Sequence, residues 1–230
     1  MVNVLKLGVR ILTSKWFPKP LFKFIRIVFV QFADSQDQRI YNSLLLPGSL
    51  AFDIGANHGQ TTEKLLRSGS RVIAVEPGVE SVEVLKMKFM HNPSVTVVNR
   101  GVSDKDEFLP FYFNETQNRS SSFIEKWNQG GKSKYSVRTT TLDKLIEKYG
   151  MPQFIKIDVE GFELRVLKGL TQRVPSLSFS YHGRTWDETL DGITLVNKLG
   201  KTKYNFNSFI RHGLHLQKWV DSEELIPKIK

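Results

Sequence analysis

Phe52-Asp53-Ile54-Gly55-Ala56-Asn57-His58-Gly59 joins a hydrophobic strand, ended by a carboxylate, to a glycine turn and then to the helical stretch Gln60–Arg67. Gly55 and Gly59 lie four residues apart. Glycine permits a sharp turn and lets a ligand approach the main chain closely. The helix that follows presents free N–H groups at its start. Asp53, at the strand tip, is placed to accept a hydrogen bond from an amine.

A second carboxylate ends the next strand, 23 residues after Asp53, in Val72-Ile73-Ala74-Val75-Glu76-Pro77. A carboxylate in this position grips the two hydroxyls of a ribose in dinucleotide-binding folds. Together the motifs predict a nucleoside-containing cofactor on an open α/β sheet. A pyrophosphate would favour G-x-G-x-x-G, which this turn lacks. Asp53 also places an anion where a phosphate would be repelled. The turn suits the amino-acid part of S-adenosyl-L-methionine, which carries an ammonium and a sulfonium.

Outward from these motifs, short β-rich runs alternate with helical stretches, the pattern of a largely parallel sheet. The expected strands are Leu50–Ile54, Arg71–Val75, Val95–Val98, Phe154–Asp158 and Ser176–Tyr181. The expected helices are Gln60–Arg67, Ser81–Met90, Thr141–Tyr149, Gly161–Lys168 and Asp187–Leu199. Phe108–Phe113 should pair with Tyr135–Thr139, and Lys203–Phe209 with Leu214–Trp219 about the turn Arg211-His212-Gly213. Between the first pair lies Asn114–Lys134, polar and long enough to serve as a substrate lid.

The 230 residues suit one domain, 46–230, behind an extension, 1–45. The absence of cysteine excludes disulfides, thiolate zinc sites, iron–sulfur clusters and a cysteine nucleophile, and fits a reducing compartment. The formal net charge is +10. Seven basic residues (Lys6, Arg10, Lys15, Lys19, Lys23, Arg26, Arg39) face two acids, Asp34 and Asp37, within the first 40. This leader is also apolar, yet its lysines interrupt every run and Pro18 and Pro20 break a helix, so it does not read as a membrane span. Nor does a small-residue cleavage site follow an apolar run, as in a signal peptide. Two short helices packed on the domain are expected. A peripheral membrane or lipid-substrate contact through residues 1–40 is the sharper alternative, on an otherwise cytoplasmic protein.

The sequence resembles the FkbM-type methyltransferases. The resemblance runs over about residues 48–185 and rests on motifs in order: Asp53-Ile54-Gly55-Ala56-Asn57-His58-Gly59, Val75-Glu76-Pro77, Gly101-Val102-Ser103-Asp104, Thr140-Thr141-Leu142-Asp143, Ile155-Lys156-Ile157-Asp158-Val159-Glu160-Gly161-Phe162-Glu163 and Leu167-Lys168-Gly169. It implies S-adenosyl-L-methionine as cofactor and the class I Rossmann-like fold. That fold is a seven-stranded, mostly parallel sheet, order 3-2-1-4-5-7-6, with helices on both faces. It implies that Asp53, Gly55, Ala56, Asn57 and Gly59 meet the methionine and ribose, with Glu76 on the ribose hydroxyls and Pro77 beside it. Val102, Ser103 and Asp104 would border the adenine, and Asp158 would sit near the methyl group and the acceptor. The family often carries a Glu shortly before the His of the fifth strand; here Ser180 stands there, while His182 is kept.

The implied reaction is O-methylation of a hydroxyl on a sugar, glycolipid or secondary metabolite. His182 is the leading general base, since imidazole titrates near neutral pH, and Asp158 is second. Asp158, Glu160 and His182 could instead gather a divalent metal, though none is expected. Glu160 and Glu163 open the helix after Asp158, where acids favour the macrodipole. Basic charge raises a nucleic-acid methyltransferase as a rival. Asp158-Val159-Glu160-Gly161 is not the Asn/Asp-Pro-Pro-aromatic run of exocyclic-amine enzymes, which leaves RNA ribose methylation as the alternative. An NAD-dependent oxidoreductase, or a cofactor-binding interaction protein without turnover, are the other rivals.

Overall fold

The central strand Leu50–Ile54 (β1) is buried at every position, because a parallel sheet covered on both faces needs near-continuous apolar runs. The computed structural model describes residues 37–113, 121–125, 133–181, 185–207 and 213–229. Around β1 stand Arg71–Glu76 (β2), Val95–Asn99 (β3), Phe154–Ile157 (β7) and Leu177–Phe179 (β8). Their order is β3-β2-β1-β7-β8, and every pairing is parallel.

Helices cover both faces. Leu50, Phe52, Ile54, Ile155 and Ile157 pack with Leu142–Tyr149 (α4), Glu163–Lys168 (α5) and Trp186–Lys198 (α6) into the main core. Ala51, Val72 and Phe154 face the other way, against Leu65 of Gln60–Arg67 (α2). Val79–Phe89 (α3) adds Leu85 and Phe89 on that side. A short helix at 37–44 (α1) also packs there, with Tyr41 edge-on to Phe154 at 5.7 Å. α4 starts where the Thr141 hydroxyl accepts the N–H of Lys144 and stops at Gly150, as a capping residue and a terminal glycine predict.

A second sheet, order β4-β6-β5, is built from Gly101–Val102 (β4), Phe108–Phe113 (β5) and Ser133–Thr140 (β6). The antiparallel β5–β6 pair was expected. The Gly101 stretch as a strand parallel to β6 was not. Of Asn114–Lys134, residues 121–125 are described, and Ser122 is docked through both of its main-chain groups onto Tyr112 at 2.9 Å. The remainder of that loop up to Lys132 lies outside the described residues.

The seven-stranded expectation is met over five strands of the main sheet among the described residues. Where the last two strands were expected, Tyr204 and Val220 form an isolated antiparallel bridge. Asn205 explains the short pairing. Its side chain donates to Leu216 O and accepts from Leu216 N, both at 3.0 Å, and so interrupts the main-chain bonding between Tyr204–Val220 and His215 N–Phe206 O. The turn residues Arg211 and His212 lie outside the described residues. Ser222–Ile229 (α7) was not anticipated; Glu223 and Glu224 in its first turn are its sequence signal, and Pro227 lies inside it. Of the expected helical extension 1–45, residues 37–44 form α1, and residues 1–36 lie outside the described residues. Among the described residues no helix is long and apolar enough to cross a membrane.

Candidate active site

The turn after β1 is stitched to its neighbours by main-chain bonds. Gly55 N and Ala56 N both donate to Val75 O, at 2.9 and 3.1 Å, and Asp158 N donates to Ile54 O at 3.0 Å. Gly55 has φ +80°, and a Cβ there would overlap the Asp158 carbonyl oxygen. Glycine is therefore required twice over, by conformation and by space. Asn57 (φ +47°) and Gly59 (φ +77°), at alternate positions after Gly55, are also left-handed and deliver the chain into α2. A Cβ at Gly59 would meet the Phe89 ring at 2.6 Å, so this glycine seats α3 against the turn.

Glu76 ends β2 and is 7% exposed. Oε2 accepts the N–H of Asn57 at 2.9 Å and Oε1 that of Gly78 at 2.8 Å. Burial pushes its carboxyl up to about 7, against the pull of those two N–H groups. Asn99 Nδ2 donates to the carbonyls of Glu76 and Pro77, at 3.1 and 3.2 Å, and so holds the tip of β3 beside them.

Asp53, expected at the strand tip as an acceptor for an amine, is fully buried on the α2 face. Its Oδ2 accepts the Thr62 hydroxyl at 2.7 Å, while Oδ1 has no hydrogen-bond partner. Burial raises its pKa, opposed by Lys156 and Thr62. Asn57 Oδ1 is likewise buried without a partner. A buried acceptor left unpaired costs about 1–3 kcal/mol, so two of them beside one glycine turn mark a place for donors.

At the tip of β7, Asp158 is held through both oxygens. Lys156 Nζ lies 2.9 Å from Oδ2, and Ser180 Oγ donates to Oδ1 at 2.8 Å. Ser180, the departure noted in the sequence, is thus a hydrogen-bond donor to the carboxylate. Glu160 (φ +52°) and Gly161 (φ +89°) continue in left-handed conformation, so α5 begins at Glu163, two residues later than expected. Glu160 therefore belongs to the turn, where its carbonyl accepts the Ser122 hydroxyl at 2.9 Å. Glu163 does open the helix. It is 7% exposed, accepts the N–H of Val159 at 3.0 Å, and is pushed up to about 7 by burial. A cavity of about 1910 Å³ lies against Lys156, Asp158, Ser178 and Ser180 and extends past Tyr41 and Phe154.

Val102 and Ser103 are buried beyond β3. Asp104 is engaged by its neighbours. Burial opposes its charge, but the Ser103 hydroxyl (2.9 Å) and the Arg165 guanidinium (2.7 Å) hold the carboxyl below the usual range. His182 lies outside the described residues. Lys156, Asn99 and Ser122 were not singled out as site residues from the sequence. Lys156 had a signal: a lysine inside an otherwise apolar strand, two residues before the motif carboxylate.

Residues 53–199 match the model of the methyltransferase FkbM domain. The chain belongs to the FkbM methyltransferase family. A curated relative, the hexuronic acid methyltransferase AglP of Haloferax volcanii, is 28% identical over 131 residues, which are 56% of this chain and 52% of AglP. The chain thus matches about half the length of that relative. Among solved structures, the precorrin-6y C5,15-methyltransferase of Geobacter metallireducens has a TM-score of 0.45 at 10% identity, covering 74% of this chain and 72% of the other. A TehB-like S-adenosylmethionine-dependent methyltransferase of Corynebacterium glutamicum has a TM-score of 0.45 at 12% identity, covering 87% and 97%.

The cofactor of this FkbM domain is S-adenosyl-L-methionine. The residues present fit it. The unpaired acceptor Asn57 Oδ1, within the turn itself, calls for a donor, as an ammonium and hydroxyls are and a pyrophosphate is not. Among the described residues no three His, Asp or Glu side chains gather as metal ligands.

Proposed function

We propose that the protein methylates a hydroxyl oxygen of a sugar, free or carried on a glycan or lipid. The observation that carries this reading is the pair Glu76 and Asp158. They lie at the ends of strands flanking β1, on either side of the Gly55 turn, and Asp158 adjoins a large cavity. Ligands of open α/β sheets bind at this edge. The AglP name, a hexuronic acid methyltransferase, supports a sugar as acceptor.

In this reading Glu76 holds the ribose hydroxyls, and Gly55, Ala56, Asn57 and Gly59 form the turn around the amino-acid part. Asp53 backs that turn from beneath. Pro77, Val102, Ser103 and Asp104 border the adenine, with Asp104 acting through its grip on Arg165. The bound cofactor supplies a methyl group already activated by its sulfonium. What remains for the chain is alignment and removal of one proton. His182 takes the acceptor's proton, and Asp158 orients the acceptor hydroxyl. The five parallel strands fill places 3-2-1-4-5 of a seven-stranded sheet, with the Tyr204–Val220 bridge at the place of the last two. Residues 1–40 bring the domain to a membrane surface that carries the acceptor.

The experiment is methyl transfer to a panel of uronic-acid and neutral-hexose glycosides, read by mass spectrometry as sugar methyl ethers. His182→Ala should keep cofactor affinity and lower turnover at least roughly 100-fold, the usual worth of a general base. Unchanged turnover removes His182 from the role. Absence of a methyl ether on every sugar removes the sugar reading.

A further inference from the structure

Parallel strands covered on both faces are filled with apolar side chains. The α2 face of this sheet departs from that rule in one patch. Asp53, Lys156 and Ser178 stand in register on β1, β7 and β8, and Asp158 and Ser180 come two residues later. Period-two alternation turns these residues away from the core that Ile155, Ile157, Leu177 and Phe179 enter. Lys156 is flanked by two carboxylates. Its ammonium pairs with Asp158 at 2.9 Å, its side chain is 15% exposed, and fully buried Asp53 is its cross-strand neighbour. A half-buried lysine carries a desolvation cost, and an apolar residue would fill the strand without it.

We propose that Lys156 is a positioning residue that sets the charge met by the cofactor's sulfonium. It anchors Asp158 and offsets its charge, so the carboxylate beside the methyl-bearing end of the site is a paired one and not a bare anion. The inference rests on the reading above, in which that end of the cofactor adjoins the β7 tip. Methyl transfer takes positive charge off the sulfur. A bare carboxylate there would stabilise the charged reactant more than the transition state, where that charge is dispersing, and so raise the barrier. The Lys156–Asp158 pair keeps an oriented carboxylate for the acceptor without that penalty.

S-adenosylmethionine and S-adenosylhomocysteine differ by one methyl and the sulfonium charge, so the ratio of their affinities reads the local charge. The test is calorimetry of both ligands at pH 8 on the full chain, wild type and variants. Lys156→Met should shift the ratio toward S-adenosylmethionine by about tenfold or more, as loss of one charge a few ångströms away predicts. Asp158→Asn should shift it the opposite way by a similar factor, and Lys156→Arg should stay within about threefold. A variant that merely loosens the fold weakens both ligands alike and leaves the ratio unmoved. An unmoved ratio in Lys156→Met, with binding retained, overturns the proposal; if that variant does not fold, the Asp158→Asn ratio decides alone. Glu76→Ala separates the two readings. S-adenosylhomocysteine binding as tight as wild type in that variant sinks the cofactor-site reading, whatever the ratios show.

Discussion

The Glu76 carboxylate ties the end of β2 to the turn after β1, with Asn57 N–H 2.9 Å from Oε2. A second N–H, from Gly78, lies 2.8 Å from Oε1. Both oxygens therefore face donors, an arrangement that favours an ionised, purely accepting carboxylate. Burial works against it and raises the carboxyl to about 7. S-adenosylhomocysteine affinity should accordingly rise about tenfold from pH 6 to pH 8, as the ionised fraction grows. Calorimetry across that range checks it. Glu76→Gln should bind weakly and without the pH dependence; a flat wild-type profile contradicts the role.

Stability should run the other way with pH. Glu76 and Glu163 both have folded pKa values near 7, raised from 4.5 by burial. The folded state thus binds protons that the unfolded state has released. The stabilisation is fully present below about pH 4.5 and is lost as pH rises through about 7. Urea unfolding at pH 5.5 and pH 8 should show a less stable protein at the higher pH. Glu163→Gln, neutral at every pH, should recover roughly 1–2 kcal/mol of the difference. A slope unaltered by the substitution counts against Glu163 as its source.

Gly55 and Gly48 make a controlled pair. Both have φ near +80°, but a Cβ at Gly48 meets nothing within 4 Å, while one at Gly55 overlaps the Asp158 carbonyl. Gly48→Ala should cost about 1 kcal/mol of backbone strain. Gly55→Ala should cost roughly 3 kcal/mol or more, a fall in Tm of about 6–12 °C for a domain of this size. Equal melting temperatures for the two variants would show that β7 does not approach the turn this closely.

Ser122 fastens the second sheet to the turn after Asp158. It is 1% exposed, donates to Glu160 O at 2.9 Å, and accepts from Ile124 N at 3.1 Å. Ser122→Ala removes both of these part-buried hydrogen bonds, and should destabilise by roughly 1–2 kcal/mol. Thermal unfolding measures it. A change within experimental scatter would mean that water replaces the hydroxyl.

The strand and helix series from Leu50 to Lys198 was legible because each element carries its own signal. β1 is a continuous apolar run, α2 follows a glycine turn, and α4 has a threonine cap and a terminal glycine. What escaped depends on tertiary partners. Gly101–Val102 is too short to announce a strand and becomes one by lying beside β6. The pairing expected over residues 203–219 was shortened by a side chain, Asn205, whose hydrogen bonds compete with the ladder. At the site, Glu76 and Asp158 were legible as strand-tip carboxylates. The burial of Asp53 was not, since the motif gives the type of residue but not the helix packed over it. Lys156 stood out only as a lysine inside an apolar strand; its meaning comes from the register that sets it across from Asp53.

The central claim is that the Gly55 turn and Glu76 hold S-adenosyl-L-methionine. The most direct measurement is calorimetric titration of the purified protein with S-adenosylhomocysteine, with NAD as the control ligand. The account predicts micromolar binding of the adenosyl ligand, loss of that binding in Glu76→Ala, and no response to NAD. Failure of S-adenosylhomocysteine to bind folded wild-type protein, or undiminished binding by Glu76→Ala, would contradict it.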